Sequence, residues 1–237
     1  MASPALLQFG SAIALAQRLL ALEEKQFADP LLADETAAAL RGGAAVLMVA
    51  ALELFLKNRL IECVEKLDGD LASVPFDQLP EPIRVKGAVL SLERAIHGPR
   101  YGGPKGDVAR HPDVVAAAKR VAAQRLDPAA FGDTKSNPGP DTVREMFKNV
   151  GLPDIFALIR PEFDATWKKP EATEFLADKL DEIVKRRHRV AHSADALSVS
   201  RHDLTEANRF LVALVQALDS KLELHVAAVR AGYTFTG

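Results

Sequence analysis

The chain has little that could staple it or hold a metal: among its 237 residues there is one cysteine, Cys63. A lone thiol excludes an intrachain disulfide framework and a cysteine-rich metal site, and Cys63 sits inside an apolar helical pattern, where it reads as a packed side chain. Aromatic residues are scarce at 6%. Ala, Leu, Glu, Lys and Arg recur instead, which favours helices over a sheet built from β-branched and aromatic residues, so the expected fold class is all-α. Strong charge of either sign is missing too. A net charge of −2 and a pI near 6.3 provide no global field to draw in a polyanion, so any anion recognition must be local. Uninterrupted hydrophobic runs are short: the first helix is broken by Gln8, Gln17 and Arg18 and lacks the basic start of a signal peptide, and the uncharged run from Gly42 to Leu52 is too short for a bilayer. A globular protein with a cytoplasmic location and no membrane partner is the expectation, and 48% hydrophobic residues are ample for its core.

Apolar periodicity places a helix from Pro4 to about Phe27, ended by Asp29-Pro30, and a second from about 34 to 67 with Gly42-Gly43 as a kink or close-approach point. A loop from Gly69 to Pro82 precedes a helix to His97. The glycine-rich stretch from Gly98 to Gly106 lacks the Lys-Ser/Thr ending of a phosphate loop and has no strand before it, so it reads as a surface loop. Pro112 to Leu126 reads as helix, Asp127 to Pro140 as loop, Asp141 to Val150 as a short helix, and Pro153 through Trp167 as irregular turns. A helix from about 170 to 192, with Pro170 at its start, is followed by a break over Ser193 to Ser200. Ser200 and Asp203 then cap a last helix to about 231, whose seam is Leu204, Phe210, Leu211, Leu214, Val215, Leu218, Leu222 and Val226. The organisation expected is one helical domain over 1–237: a bundle of the helices at 34–67, 170–192 and 200–231, with 98–169 as an elaboration.

Two charges break the apolar pattern. Along Phe175 to Ala191, Leu176, Leu180, Ile183, Val184, Val190 and Ala191 form one stripe, and at about 100° per residue Arg187 projects into its middle. Lys185, Arg186 and Arg189 are expected to point to water, with His188 and His192 along one border. On the second helix Glu53 projects into the stripe of Val46, Val49, Ala50, Leu60, Ile61 and Val64. A guanidinium turned inward needs an acid or a wet anion site, and Glu53 is the natural partner for Arg187. A second basic run, Arg100, Lys105, Arg110, Lys119, Arg120 and Arg125, reads equally as solvated helix faces.

Arg187 and His192 suit work on a phosphodiester. A guanidinium can hold two non-bridging oxygens and offset transition-state charge, while an imidazole can take a proton from a 2′-hydroxyl or return one to a leaving 5′-oxygen. Such a pair cleaves RNA without a metal or other cofactor. Their five-residue separation turns them about 140° apart, so they line two sides of a groove, and a symmetric dimer supplies both base and acid most simply. His188-x-x-x-His192 also has the spacing of a helical metal pair, but the flanking arginines repel a cation and no third ligand is near. Histidines at a helix C-terminus are also at home there as ordinary polar residues.

The run Arg187-His188-Arg189-Val190-Ala191-His192 resembles the HEPN superfamily, whose mark is Arg, four to six residues, then His; Asn is more usual where His188 stands. Gly43 to Leu56 with Glu53, the segment from Asn137 to Leu152 with Pro138, Asp141 and Thr142, and Leu180 to His192 are similar to its RiboL-PSP-HEPN branch. That resemblance implies a dimeric, metal-independent endoribonuclease acting as a toxin or in phage defence, with an antitoxin or defence-system protein as partner. It also implies Arg187 and His192 as catalytic residues, with His188 and Glu53 supporting them. Other members are non-catalytic nucleotide-binding, RNA-binding or interaction modules.

Overall fold

In the computed structural model the described residues are 2–24, 30–69, 74–98, 107–134, 138–169, 171–193 and 199–232, with only the backbone described at 30–33, 107, 192 and 193. They form an all-α fold: α1 Pro4–Glu24, α2 Pro30–Gly69, a 3₁₀ turn Phe76–Gln78, α3 Glu81–His97, α4 Asp107–Ala122, α5 Pro128–Phe131, α6 Pro140–Asn149, α7 Ile155–Trp167, α8 Phe175–Ser193 and α9 Arg201–Arg230. Two compact units interleave along the chain. The first takes residues 1–55, 137–140 and 159–219, the second 56–136, 141–158 and 220–237, so α2, α7 and α9 each contribute to both.

The first unit contains α8. Its α1 buries Phe9, Ile13, Ala16 and Leu20, spaced at three and four, and Phe9 meets Phe55 of α2 edge-on at 6.1 Å. The close approach expected at Gly42-Gly43 is real: a Cβ at Gly43 would lie 3.2 Å from Leu19 Cδ1. Glu23, at the end of α1, accepts from Arg41 of α2 at 2.7 Å and from Arg201 of α9 at 3.3 Å, tying three helices at one carboxylate.

The segment expected to be irregular turns is the helix α7. Pro161 lies inside it, which ordinarily argues against a helix. It is tolerated because Pro161 is on the exposed side, where water can serve the carbonyl it leaves unpaired, while Ile155, Ile159, Phe163 and Trp167 repeat every fourth residue and are all buried. Phe163 and Trp167 join Phe175 of α8 and Phe210 of α9 in an aromatic cluster with centroids 5.6–6.3 Å apart. Arg209 donates to the last carbonyl of α7, on Trp167, at 2.6 Å, with its guanidinium 4.5 Å above the indole. Arg160 donates to the carbonyls of Glu171 and Ala172 at 2.6 and 2.7 Å. The entry to α8 is therefore held by Arg160 and by the rings packed on Phe175. Its first helical residue is Phe175; Pro170, expected at the start, lies outside the described residues.

The second unit packs Leu60, Cys63, Leu67, Phe131, Phe147 and Ile155. Burial pushes the Cys63 thiol up to about 12, that of an inert packed group. Arg59, fully buried, donates to Glu223 at 3.0 Å, and Lys66 reaches the same carboxylate at 2.8 Å. The small residue Gly87 lets α3 close on Leu126 and Phe131. The helix expected from Pro112 begins at Asp107, and the loop expected at 127–140 contains the single turn α5, started by Pro128. His225 is buried, and its Nε2–H donates to the Val150 carbonyl at 2.7 Å, beside Gly151 in the left-handed region (φ +86°). Residues 99–106, the glycine-rich stretch, lie outside the described set.

By length and composition alone, α1 and residues 34–69 of α2 could cross a membrane, since the apolar stretch of α2 runs well beyond its uncharged Gly42–Leu52 core. Half of the most apolar stretch of α2 is buried inside the protein, against 28% for that of α1, so α1 leaves more of its apolar surface exposed.

Two measurements check this packing. Trp167→Ala removes the centre of the aromatic cluster and is expected to cost about 3–5 kcal/mol in urea unfolding. Burial lowers the pKa of His225 below its usual 6.5, against the raising effect of its bond to Val150. The folded state thus holds the neutral ring, the stabilisation is complete above 6.5, and it is lost as pH falls below that value. The urea midpoint is expected to drop between neutrality and mild acid, and His225→Gln to flatten that part of the curve.

Candidate functional site

The buried row of α8 is Leu176, Leu180, Ile183 and Val184, and it is followed by the basic run that begins at Lys185. From Lys179 to Arg186, the cations are matched by acids. Lys179 meets Glu206 of α9 at 2.9 Å and Glu182 at 3.0 Å, and Lys185 meets Asp181 at 2.6 Å. Arg186 donates to Glu182 and lies 3.8 Å from Asp203 of α9.

The Arg186 geometry corrects the expectation that its side chain points to water: only 8% of the residue is exposed. It stands at the border of the apolar stripe, about 100° from Arg187, and that border faces the first turn of α9. Its stem covers apolar surface and its head reaches the carboxylates. Helical projection of α8 alone does not show which neighbour flanks each border. A cue was available nonetheless in the i, i+4 spacing of Glu182 and Arg186.

Asp203 is itself fixed. Its backbone N–H donates to Ser200 Oγ at 3.1 Å, the expected cap of α9. The Ser200 hydroxyl, then Arg186, hold its carboxyl below the usual carboxylate range despite partial burial. Glu206 is likewise lowered, chiefly by Lys179. The start of α9 thus grips the first half of α8 through Asp203, which the sequence marked only as part of the helix cap, and Glu206, which it did not mark.

Beyond Arg186 the pattern changes. Arg187 is half-buried and continues the row Leu176, Leu180, Ile183 at spacings of four, three and four, where projection placed it. The ion pairs that α8 forms through Lys179, Lys185 and Arg186 do not include Arg187. His188, Arg189 and Ala191 are exposed and Val190 is half-buried, so the apolar stripe frays before its expected end. His192 lies in the last turn of α8 with only its backbone described, and the helix runs on through Ser193. Glu53 is half-buried on α2, in the same unit as Arg187, with Val49, Leu52 and Leu56 buried and Ala50 and Leu54 exposed beside it.

The second basic run is largely spent on structure where it is described. Arg125 makes a two-pronged contact with Asp68 at 3.0 and 2.5 Å, and Arg120 donates to the Leu126 carbonyl at 3.1 Å. Among the described residues no three of His, Cys, Asp and Glu come together as a metal-binding group.

An arginine set into the end of an apolar row, two imidazole-bearing positions one and five residues on, and a half-buried acid in the same unit are now in place. A family model described as RiboL-PSP-HEPN matches residues 13–224, most of the chain. The chain belongs to the RiboL-PSP-HEPN family. The match takes in both Glu53 and the run from Arg187 to His192, and membership points to a HEPN-type nuclease or RNA-related module. Comparisons with curated proteins and with solved structures give no match. Two arginines of this HEPN chain stand four to six residues before His192: Arg186, with five between, and Arg187, with four. Arg186 is engaged with Glu182 and Asp203, and Arg187 is the one outside those pairs.

The two arginines are expected to separate in stability. Arg186→Ala removes a buried partner of two half-exposed carboxylates and should cost about 1–2 kcal/mol, discounted for their exposure, whereas Arg187→Ala should cost under about 0.5 kcal/mol. Urea unfolding of the two variants beside the parent reads the difference.

Proposed function

We propose that this HEPN protein is a metal-independent endoribonuclease. In this reading Arg187 holds the non-bridging oxygens of the reacting phosphate and His192 moves the proton. The ribose 2′-oxygen attacks phosphorus as its proton passes to an imidazole, the bond from phosphorus to the 5′-oxygen breaks, and a protonated imidazole returns a proton to that oxygen. The products are a 2′,3′-cyclic phosphate and a free 5′-hydroxyl. His188 assists at the phosphate and Glu53 orients Arg187. The observation that carries the reading is Arg187 itself, a cation retained in an apolar row and left out of the ion pairs that hold the first half of α8.

One chain places few proton-transfer groups at this end of α8, so a homodimer joining two such ends supplies base and acid. The exposed Ala50 and Leu54 flanking Glu53 suit such a contact. The setting is a cytoplasmic toxin or phage-defence effector restrained by a partner protein. A second reading, a non-catalytic interaction module, draws on the exposed leucines of α1, Leu7, Leu15 and Leu22.

The test is incubation of the purified protein with mixed RNA in EDTA, followed by end-group analysis. Cleavage with cyclic-phosphate ends is expected, and Arg187→Ala and His192→Ala should each lower it by about a hundredfold or more while circular dichroism stays unchanged. Intact RNA with the parent protein, or equal cleavage by parent and both variants, contradicts the reading.

A further inference from the structure

Successive residues of α8 are turned by about 100°, so Lys185, His188, Arg189 and His192, at spacings of three, four and seven, share one face. Arg187, two residues from Arg189, lies about 200° round the helix, on the side that carries the buried row. The reacting group of the proposed site is therefore flanked by two arginines on different sides of α8. On the histidine-bearing face Lys185 is held by Asp181 at 2.6 Å. Arg189 is exposed, enters none of the ion pairs seen on α8 among the described residues, and is followed by no acid on that helix, whose last carboxylate is Glu182. A guanidinium kept in water there contributes little to the fold beyond a favourable place near the helix C-terminus. It offers a charge-assisted contact to a phosphate next to the one that reacts.

We propose that Arg189 is a further substrate-binding residue, one that holds a neighbouring phosphate of a single RNA strand lying along the histidine face of α8. This rests on the reading of α8 as the RNA-cleaving helix, but it concerns grip on the strand and leaves the proton transfers to others. The ligand it requires has at least two phosphates. A dinucleoside monophosphate, with only the reacting one, does not reach it.

The experiment compares parent, Arg189→Gln and Arg189→Lys on a mixed-sequence oligoribonucleotide, on dinucleoside monophosphates, and in anisotropy binding to a fully 2′-O-methylated oligonucleotide that lacks the nucleophile. Arg189→Gln is expected to raise KM on the oligoribonucleotide about tenfold with kcat unchanged, and to leave dinucleotide cleavage as in the parent. It should also weaken binding of the methylated strand, with a salt slope shallower by about 0.7, the loss of one single-strand phosphate contact; Arg189→Lys should restore most of both. If the parent cleaves nothing while binding of the methylated strand still depends on Arg189, the nuclease reading falls and the role of Arg189 stands. If Arg189→Gln shows the parent's KM, affinity and salt slope, the role of Arg189 is overturned, and continued cleavage leaves the nuclease reading in place.

Discussion

The grip of Glu182 and Asp203 on the buried guanidinium of Arg186 is the interaction on which the rest of the first unit turns. A charge removed from water is tolerable only with partners in place, and these come from two sources: the preceding turn of α8 and the capped first turn of α9. Because Asp203 is fixed by Ser200 at the same time, the rotation of α8 about its own axis is set at that point. Everything C-terminal to Arg186 on α8 inherits that rotation. Arg187 is thereby directed along the line of Leu176, Leu180 and Ile183, and the histidine-bearing face is directed elsewhere.

The charges of α8 divide at the same residue. Before it, each cation has a carboxylate and serves the fold; after it, the helix carries cations and imidazoles with no acid of its own. An all-over basic surface is unnecessary for a protein of net charge −2 if a few cations gather at one helix end. The aromatic cluster of Phe163, Trp167, Phe175 and Phe210 performs the matching task at the other end, with Arg160 and Arg209 satisfying the backbone around the entry to α8.

Much of this could be read from the residues, and where it could not the reason is physical. The all-α class, the seam of α9 and the packed state of Cys63 follow from periodicity and composition, which burial then bears out. Helix α7 was hidden by Pro161, because a breaker in one position outweighs a four-residue apolar repeat unless it is known which side meets solvent. Arg186 was hidden for a related reason. An isolated helix projection ranks residues by angle from the apolar centre, and a long side chain at the border goes in or out according to what the neighbouring helix offers. The mid-stripe position of Arg187 was legible from the projection of α8 alone. The HEPN motif was legible as residues; its spacing admits both Arg186 and Arg187, projection placed Arg187 mid-stripe, and the fold adds that Arg186 is engaged with Glu182 and Asp203.

The central claim is that α8 is a helix of two halves, the first held by α9 and the second open to RNA. Hydrogen exchange of the protein with and without a 2′-O-methylated oligoribonucleotide tests it most directly, read peptide by peptide along α8. The account predicts slowed exchange over residues 187–193 on adding the strand and no change over 175–186. RNA-induced protection confined to the first half, or absent from α8 at saturating RNA, would contradict it.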